Sequence, residues 1–113
     1  MEFVWRPSFD SLGEDASILS HWHYNHYSPP TGFNFDTLNS RHYYFESDSS
    51  SSKYNAPQKS LDLHKWIVTM KKSYQDHNHL FQLMGEDFTF MKAEDSFHNT
   101  DNMIDYYNAN EGA

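Results

Sequence analysis

Apolar residues recur at helical spacing between about residue 61 and residue 75. This pattern predicts an amphipathic helix with one apolar stripe in the core, and Ser60 is suited to be its N-cap. A second helical pattern runs from about residue 95 to residue 108. The first stripe consists of Leu63, Trp66, Ile67, Met70 and Tyr74, and the second of Phe97, Ile104 and Tyr107 with Met103 beside them.

A short, mostly apolar run, residues 80–84, lies between the two predicted helices and ends at Gly85. The length of this run and the glycine that ends it predict a β-strand over residues 79–84. Glu86 and Asp87 then lie at the C-terminal end of that strand. Helix, strand, loop and helix in this order indicate an α/β fold. In such folds the catalytic groups lie at the C-terminal ends of the strands, so the acidic pair is the first candidate for chemistry.

The N-terminal half has weaker patterns. Residues 3–5 are a possible short strand, and a second strand is expected to end near Tyr24 before the pair Pro29-Pro30, which excludes a helix. Residues 47–52 are almost all serine and predict a loop. The chain therefore divides into an aromatic loop region (1–45), a Ser-rich loop (46–58) and a helix–strand–helix region (59–113).

Composition narrows the class of protein. Aromatic residues make up 18% of the 113 residues, which is too many for a disordered tail. Because one strand with two helices does not form a stable sheet alone, either residues 1–45 supply further strands or the partner segments lie outside this chain, and we favour the second. A net charge of -8 argues against a nucleic-acid partner. The sequence has no cysteine, no stretch long enough to span a membrane and no recognisable signal peptide.

The acidic pair suits proton transfer. Side chains alternate along a strand, so either Glu86 or Asp87 can face a pocket while the other meets solvent. Phe88 and Phe90 can shield that carboxylate from water, which favours a proton-donating group. The alternative is an acidic pair that only closes a loop.

Two further groups of residues are candidate binding sites, one for a metal ion and one for a sugar. His21 and His23 would share one side of a strand and can bind zinc through their ring nitrogens, but a structural zinc site needs four ligands, and surface histidine is the simpler interpretation. In the aromatic loop, Asn25, Ser28 and Asn34 can bond sugar hydroxyls while aromatic rings stack on the sugar. Tyr27 suits sugar binding and packing equally, whereas Phe33 and Phe35 suit packing.

Four segments, in order along the chain, resemble segments of the lysosomal-type α-mannosidases of glycoside hydrolase family 38. Residues 3–6 (FVWR) are similar to that family's Val-Trp-Arg segment, and residues 24–36 resemble its Tyr-Asn-Pro-Pro…Trp-Asp segment. Residues 83–88 (LMGEDF) resemble Met-Gly-x-Asp-Phe, and residues 97–104 resemble the Phe-Lys-Asn-x-Asp-x-x-Ile helix.

This resemblance implies a retaining α-mannosidase that removes terminal α-D-mannose from glycans with the help of zinc. It implies Asp87 as the general acid/base and Tyr27 as a residue of the sugar site. We expect Ser28, which stands where the family carries Asn, and Phe88 to bind substrate beside Tyr27. The implied fold is α/β, a part of a seven-stranded (β/α) barrel-like catalytic domain with helix–strand–helix in the C-terminal half. The implied compartment is the lysosome or another part of the secretory pathway.

The chain also departs from the family pattern. The family's His-x-Asp zinc motif, its nucleophilic Asp segment and its His-His-Asp segment are missing from the sequence, and Asn34 stands where lysosomal members carry Cys. We therefore expect a partial catalytic domain that is inactive alone, with zinc ligands outside this chain. The alternative is a non-catalytic carbohydrate-binding or protein-interaction module.

Overall fold

The computed structural model describes residues 1–38, 43–74 and 77–110. Two short strands, β1 (Glu2–Trp5) and β2 (Ile18–His21), form an antiparallel hairpin. The connection between them contains helix α1 (Phe9–Leu12) and a 3-10 turn (Gly13–Asp15). Two long helices, α2 (Ala56–Lys71) and α3 (Ala93–Asn110), make up much of the rest.

The hairpin confirms the predicted strand at residues 3–5. Its register sets Glu2 opposite His21 and Trp5 opposite Ile18, so the second strand ends at His21 and not near Tyr24. Most of its apolar side chains are exposed, with Leu19 at 76%. The hairpin therefore contributes little to the apolar core.

The predicted barrel-like α/β fold, with helix–strand–helix in the C-terminal half, is wrong. Residues 79–86 belong to no helix or strand, and the described residues form one two-stranded sheet. Among the described residues, residues 79–86 make one backbone–backbone hydrogen bond to a distant segment. In this bond the Gly85 N–H donates to the Tyr27 carbonyl at 2.8 Å. Without a neighbouring strand to receive its other polar groups, the segment forms no ladder.

Helix α2 begins at Ala56, earlier than predicted, because Pro57 fits the first helical turn. Ser60 is therefore not the N-cap but a buried residue inside the helix. Met70 is buried as expected, while the other members of the predicted stripe are half-buried. The predicted end at Gln75 lies outside the described residues.

Helix α3 buries a different face from the predicted one. Phe97 and Ile104 are 60% and 46% exposed, whereas Ser96 and Met103 are buried. The reason is a polar contact: the Asn99 side-chain oxygen accepts the Phe45 N–H at 2.6 Å. This bond holds the segment around Phe45 against the side of α3 that carries Asn99 and Met103.

The core is small and aromatic. It confirms packing as the role of Phe33 and Phe35, whose rings meet edge to face with centroids 6.1 Å apart. Leu63, Met84 and Tyr106 pack around it. Its buried members are Phe33, Phe35, Phe45, Ala56 and Met103.

The chain exposes more surface than a self-contained domain of its size. Its accessible area is 8139 Å², while a compact monomer of 13.4 kDa exposes about 6,500 Å². Its radius of gyration is 17.8 Å, against about 13 Å for a compact domain of this length. None of the helices in the described ranges combines the length and apolarity that a bilayer crossing needs.

Candidate functional site

Tyr27 and Asp87, 60 residues apart in the chain, are hydrogen-bonded partners. Tyr27 belongs to the Pro-Pro loop (residues 24–36) and Asp87 to the acidic loop (residues 85–91). The Tyr27 hydroxyl donates to Asp87 Oδ1, and the Gly85 N–H donates to the Tyr27 carbonyl at 2.8 Å. Two of the residues that the sequence singled out therefore lie together where these loops meet.

Gly85 makes this meeting possible. A Cβ atom at position 85 would lie 3.0 Å from the Tyr27 carbonyl oxygen, which is closer than an ordinary van der Waals contact. A residue with a side chain would have to push the two backbones apart by a few tenths of an ångström, whereas glycine lets them approach to hydrogen-bonding distance without a shift. The glycine that ends the apolar run is thus required by the contact with Tyr27.

The carboxylate changes the acidity of its partner. The hydrogen bond to Asp87 is the largest cause of the raised pKa of the Tyr27 phenol, followed by partial burial and the negative charges of Asp87 and Glu86. Each of these effects disfavours the phenolate. Tyr27 therefore stays a proton donor to Asp87 at neutral and acidic pH.

The expected shielding of Asp87 by phenylalanine is not present in this chain. The Phe88 side chain is 93% exposed and Phe90 is 41% exposed, and Asp87 itself is exposed. Phe88 and Phe90 have φ angles of 58° and 64°, in the left-handed region that bulky residues rarely adopt. The exposed ring of Phe88 is therefore free to meet another molecule.

A polar cavity of about 320 Å³ lies beside this pair. It brings together Asn25, Ser28 and Asn34, which the sequence proposed as hydroxyl-binding groups, and Glu86 lines it as well. Tyr27, Asp87 and Phe88 are not among its lining residues. The two carboxylates of the acidic pair thus have different surroundings. Glu86 lines the cavity, and Asp87 accepts the Tyr27 hydroxyl.

Sequence reasoning missed Lys59. This residue of α2 donates from Nζ to the Gly32 carbonyl, and Nζ lies 4.9 Å and 4.7 Å from the ring centroids of Phe33 and Tyr43. Burial lowers the pKa of the Lys59 ammonium, and the charge of Asp62 opposes that shift. A lysine two residues after Pro57 gives no sequence signal that it will contact the Pro-Pro loop.

Comparison with known proteins gives this site its context. The family described as "Glycosyl hydrolases family 38 N-terminal domain" matches residues 1–113. The chain belongs to glycoside hydrolase family 38. This confirms the resemblance on which Asp87 and Tyr27 were singled out.

The family 38 relatives are α-mannosidases from plants and mammals. The chain is 31% identical over 108 residues to "Alpha-mannosidase" of Canavalia ensiformis, covering 96% of this chain and 11% of that protein. It is 32% identical over 111 residues to "Lysosomal alpha-mannosidase" of Homo sapiens, covering 98% and 11%. The chain thus spans about a tenth of the length of these relatives.

The histidines of this family 38 chain form a polar cluster with a glutamate. The Glu2 carboxylate lies 3.4 Å from His21 Nδ1 and 3.0 Å from His77 Nε2, and the rings of His21 and His23 are 6.0 Å apart. Among the described residues, no group of three or more His, Cys, Asp or Glu side chains is arranged to hold a metal ion. These residues therefore do not fit a zinc ion.

Proposed function

We propose that this chain carries the proton-transferring carboxylate of an α-mannosidase that removes terminal α-D-mannose from glycans. The observation that carries the proposal is the contact of Tyr27 with Asp87 beside a polar cavity in a family 38 chain. Membership of a glycosyl hydrolase family and α-mannosidase relatives support hydrolysis of a glycoside. The mannose specificity and the residue roles are part of the proposal.

In the proposed reaction the protonated Asp87 carboxyl gives its proton to the departing glycosidic oxygen as the C–O bond breaks. A second carboxylate, from a part of the protein outside this chain, attacks the anomeric carbon and forms a glycosyl-enzyme intermediate. Asp87 then accepts a proton from the water that releases the sugar, and configuration is retained. In retaining enzymes these two carboxyl groups lie about 5–5.5 Å apart.

The other residues orient the sugar and the acid. Tyr27 fixes the direction of the Asp87 carboxylate through its hydroxyl. Ser28 lines the polar cavity and offers a hydroxyl to the sugar, while the exposed ring of Phe88 can stack on a sugar face. We assign zinc to ligands outside this chain, and no step above passes through it.

The proposed partners are mannose-containing glycans and the remainder of the catalytic domain. The excess accessible area described above and the exposed apolar side chains of the hairpin support association with further protein segments. Four mammalian relatives carry lysosomal names, and we propose the lysosome, or another compartment of the secretory pathway, as the site of action.

The test compares the two neighbouring carboxylates in a full-length protein that contains this chain. We expect Asp87→Asn to lower mannoside hydrolysis by about 10²–10⁴-fold, the usual contribution of a general acid, while mannoside binding is kept. Glu86→Gln is the comparison variant: Glu86 lines the cavity, so this change should act on mannoside binding, and kcat should fall far less than in Asp87→Asn. Undiminished hydrolysis by the Asp87→Asn protein would rule out the assigned role.

A non-catalytic carbohydrate-binding module is the second candidate. The observation that favours it is that a cavity with three hydroxyl-binding side chains is already formed within this chain. Isothermal titration of the isolated chain with mannosides distinguishes the two proposals. Saturable binding by a folded monomer supports the module, and its absence supports a site that other segments must complete.

A further inference from the structure

Asp36 is a buried carboxylate whose oxygens bind backbone. Its side chain is 2% exposed. Oδ1 accepts the Leu38 N–H at 2.9 Å, and Oδ2 accepts the N–H of Phe90 in the acidic loop. The Asp36 N–H in turn donates to the Asn34 side-chain oxygen at 3.1 Å, so the direction of the carboxylate is fixed locally.

The acidic loop needs such support because its backbone is strained. Phe88 and Phe90 have φ angles of 58° and 64°, a region that is unfavourable for an L-residue because its Cβ approaches the following carbonyl oxygen. The Phe88 side chain is 93% exposed, so packing of that ring does not offset the cost. Contacts of the backbone must therefore hold the loop in this conformation.

Asp87 lies between two such contacts. On its N-terminal side the Gly85 N–H donates to the Tyr27 carbonyl, and on its C-terminal side the Phe90 N–H donates to Asp36. Both acceptors belong to the Pro-Pro loop, which also provides the Tyr27 hydroxyl for Asp87. The two loops are thus joined on either side of the acid.

We propose that Asp36 is a positioning residue, which holds the acidic loop so that the Asp87 carboxylate meets Tyr27. This inference rests on the proposed function, because it assigns to Asp36 a part in placing the acid. Asp36 acts through the Phe90 backbone and does not touch substrate. A carboxylate is needed because both of its oxygens accept, whereas an amide offers one acceptor oxygen and an NH₂ group that cannot accept.

The first test is Asp36→Asn in this chain, with Asp48→Asn as the matched control. Asp48 Oδ1 also accepts a backbone N–H, from Ser50 at 2.8 Å, but it lies in the Ser-rich loop. We expect the Asp36→Asn change to speed hydrogen exchange at the Phe90 amide by about tenfold or more, as loss of one charged hydrogen bond allows. The Tyr27 phenol, followed by NMR, should titrate closer to its ordinary pKa. The control should change neither.

A rescue variant separates positioning from general damage. Glycine adopts positive φ without strain, so Phe90→Gly added to Asp36→Asn should restore part of the Tyr27 shift. A folded Asp36→Asn chain with unaltered Tyr27 titration would overturn the inference. If that variant does not fold, the unmodified chain decides: exchange at Phe90 as fast as at Phe88 overturns the inference, and clearly slower exchange at Phe90 supports it.

These outcomes are independent of the proposed function. Unchanged turnover after Asp87→Asn would end the α-mannosidase role of Asp87 even if the loop responds as expected. Loop measurements that do not respond would end the role of Asp36 whatever the turnover. In an active full-length protein, Asp36→Asn should lower kcat more than it changes KM, because the cavity that contacts the sugar is left intact.

Discussion

The hairpin and the aromatic core are held by different kinds of interaction. The hairpin meets the rest of the chain through polar groups and rings: Glu2 lies 3.0 Å from His77, and the His21 ring stacks on Tyr74 at 4.6 Å. Its strand side chains Val4 and Leu19 are 58% and 76% exposed. In the core, by contrast, burial of aromatic rings between α2, α3 and the Pro-Pro loop dominates.

This difference decides what each region can support. Apolar burial contributes roughly 25 cal/mol for each Å² removed from water, so the core can offset the strained backbone of the acidic loop beside it. Partly exposed hydrogen bonds and ion pairs contribute about 1 kcal/mol or less each. The candidate site is therefore built on the more strongly held of the two regions.

Truncating one core ring should give the largest effect. Phe35 is 3% exposed, and Phe35→Ala should cost about 3–5 kcal/mol through lost burial and the cavity left behind. Leu19→Ala, at an exposed position of the hairpin, should cost no more than about 0.5 kcal/mol. Urea denaturation followed by tryptophan fluorescence measures both. Similar losses from the two variants would remove the distinction between the regions.

Breaking the polar cluster of the hairpin should have a smaller, local effect. Glu2→Gln weakens the contacts with His21 and His77 and should cost about 1 kcal/mol. Amide exchange in β1 and β2 should speed up while the amides of α2 and α3 stay protected. Glu14→Gln, which removes an exposed ion pair with Arg6, is the control and should leave exchange in all of these elements unchanged.

The smallest effect should come from raising the pH. The pKa of Tyr27 is raised above the ordinary value of 10.0, so its contribution to stability is fully present below about pH 10 and is lost as the pH rises through the raised folded-state pKa. Ionisation replaces a donor with a negative charge beside Asp87. Loss of amide protection at Gly85 in alkali, absent from the Tyr27→Phe chain at the same pH, is the expected result. Equal behaviour of both chains would count against the coupling.

Local patterns predicted the parts of the fold that local interactions determine. Both long helices follow from periodicity. The short element at residues 3–5 follows from its apolar run, and the packing of Phe33 and Phe35 from their place beside the Pro-Pro turn. Helix α2 begins earlier than predicted. Ser60 has the side chain of an N-cap, but Pro57 already lies in the first turn of the helix. The buried face of α3 depends on the bond from Phe45 to Asn99, which no pattern within α3 contains.

The prediction of a strand at residues 79–84 was wrong for a related reason. Its apolar run is typical of a buried strand, but a strand exists only when a neighbour pairs with it, and among the described residues no such neighbour is present. The family was predicted more successfully, because the motif around Asp87 and the Tyr27 segment identify it, whereas the roles of these two residues stay predictions. The sequence did not predict the roles of Lys59, which contacts the Pro-Pro loop, and of Asp36, which contacts the acidic loop. Both contacts join segments that are distant in the chain.

The close approach at Gly85 has a genetic consequence. Every missense change at this codon adds at least a methyl group where the Tyr27 carbonyl oxygen would lie 3.0 Å away. At Gly32 and Gly13 a substitution is strained locally by φ angles of 89° and 62°, but the atom nearest Gly32 is the end of a lysine side chain and nothing lies within 4 Å of Gly13. Of these glycines, Gly85 is the one at which a single inherited substitution disturbs both loops of the candidate site at once, without altering any group that would touch a sugar.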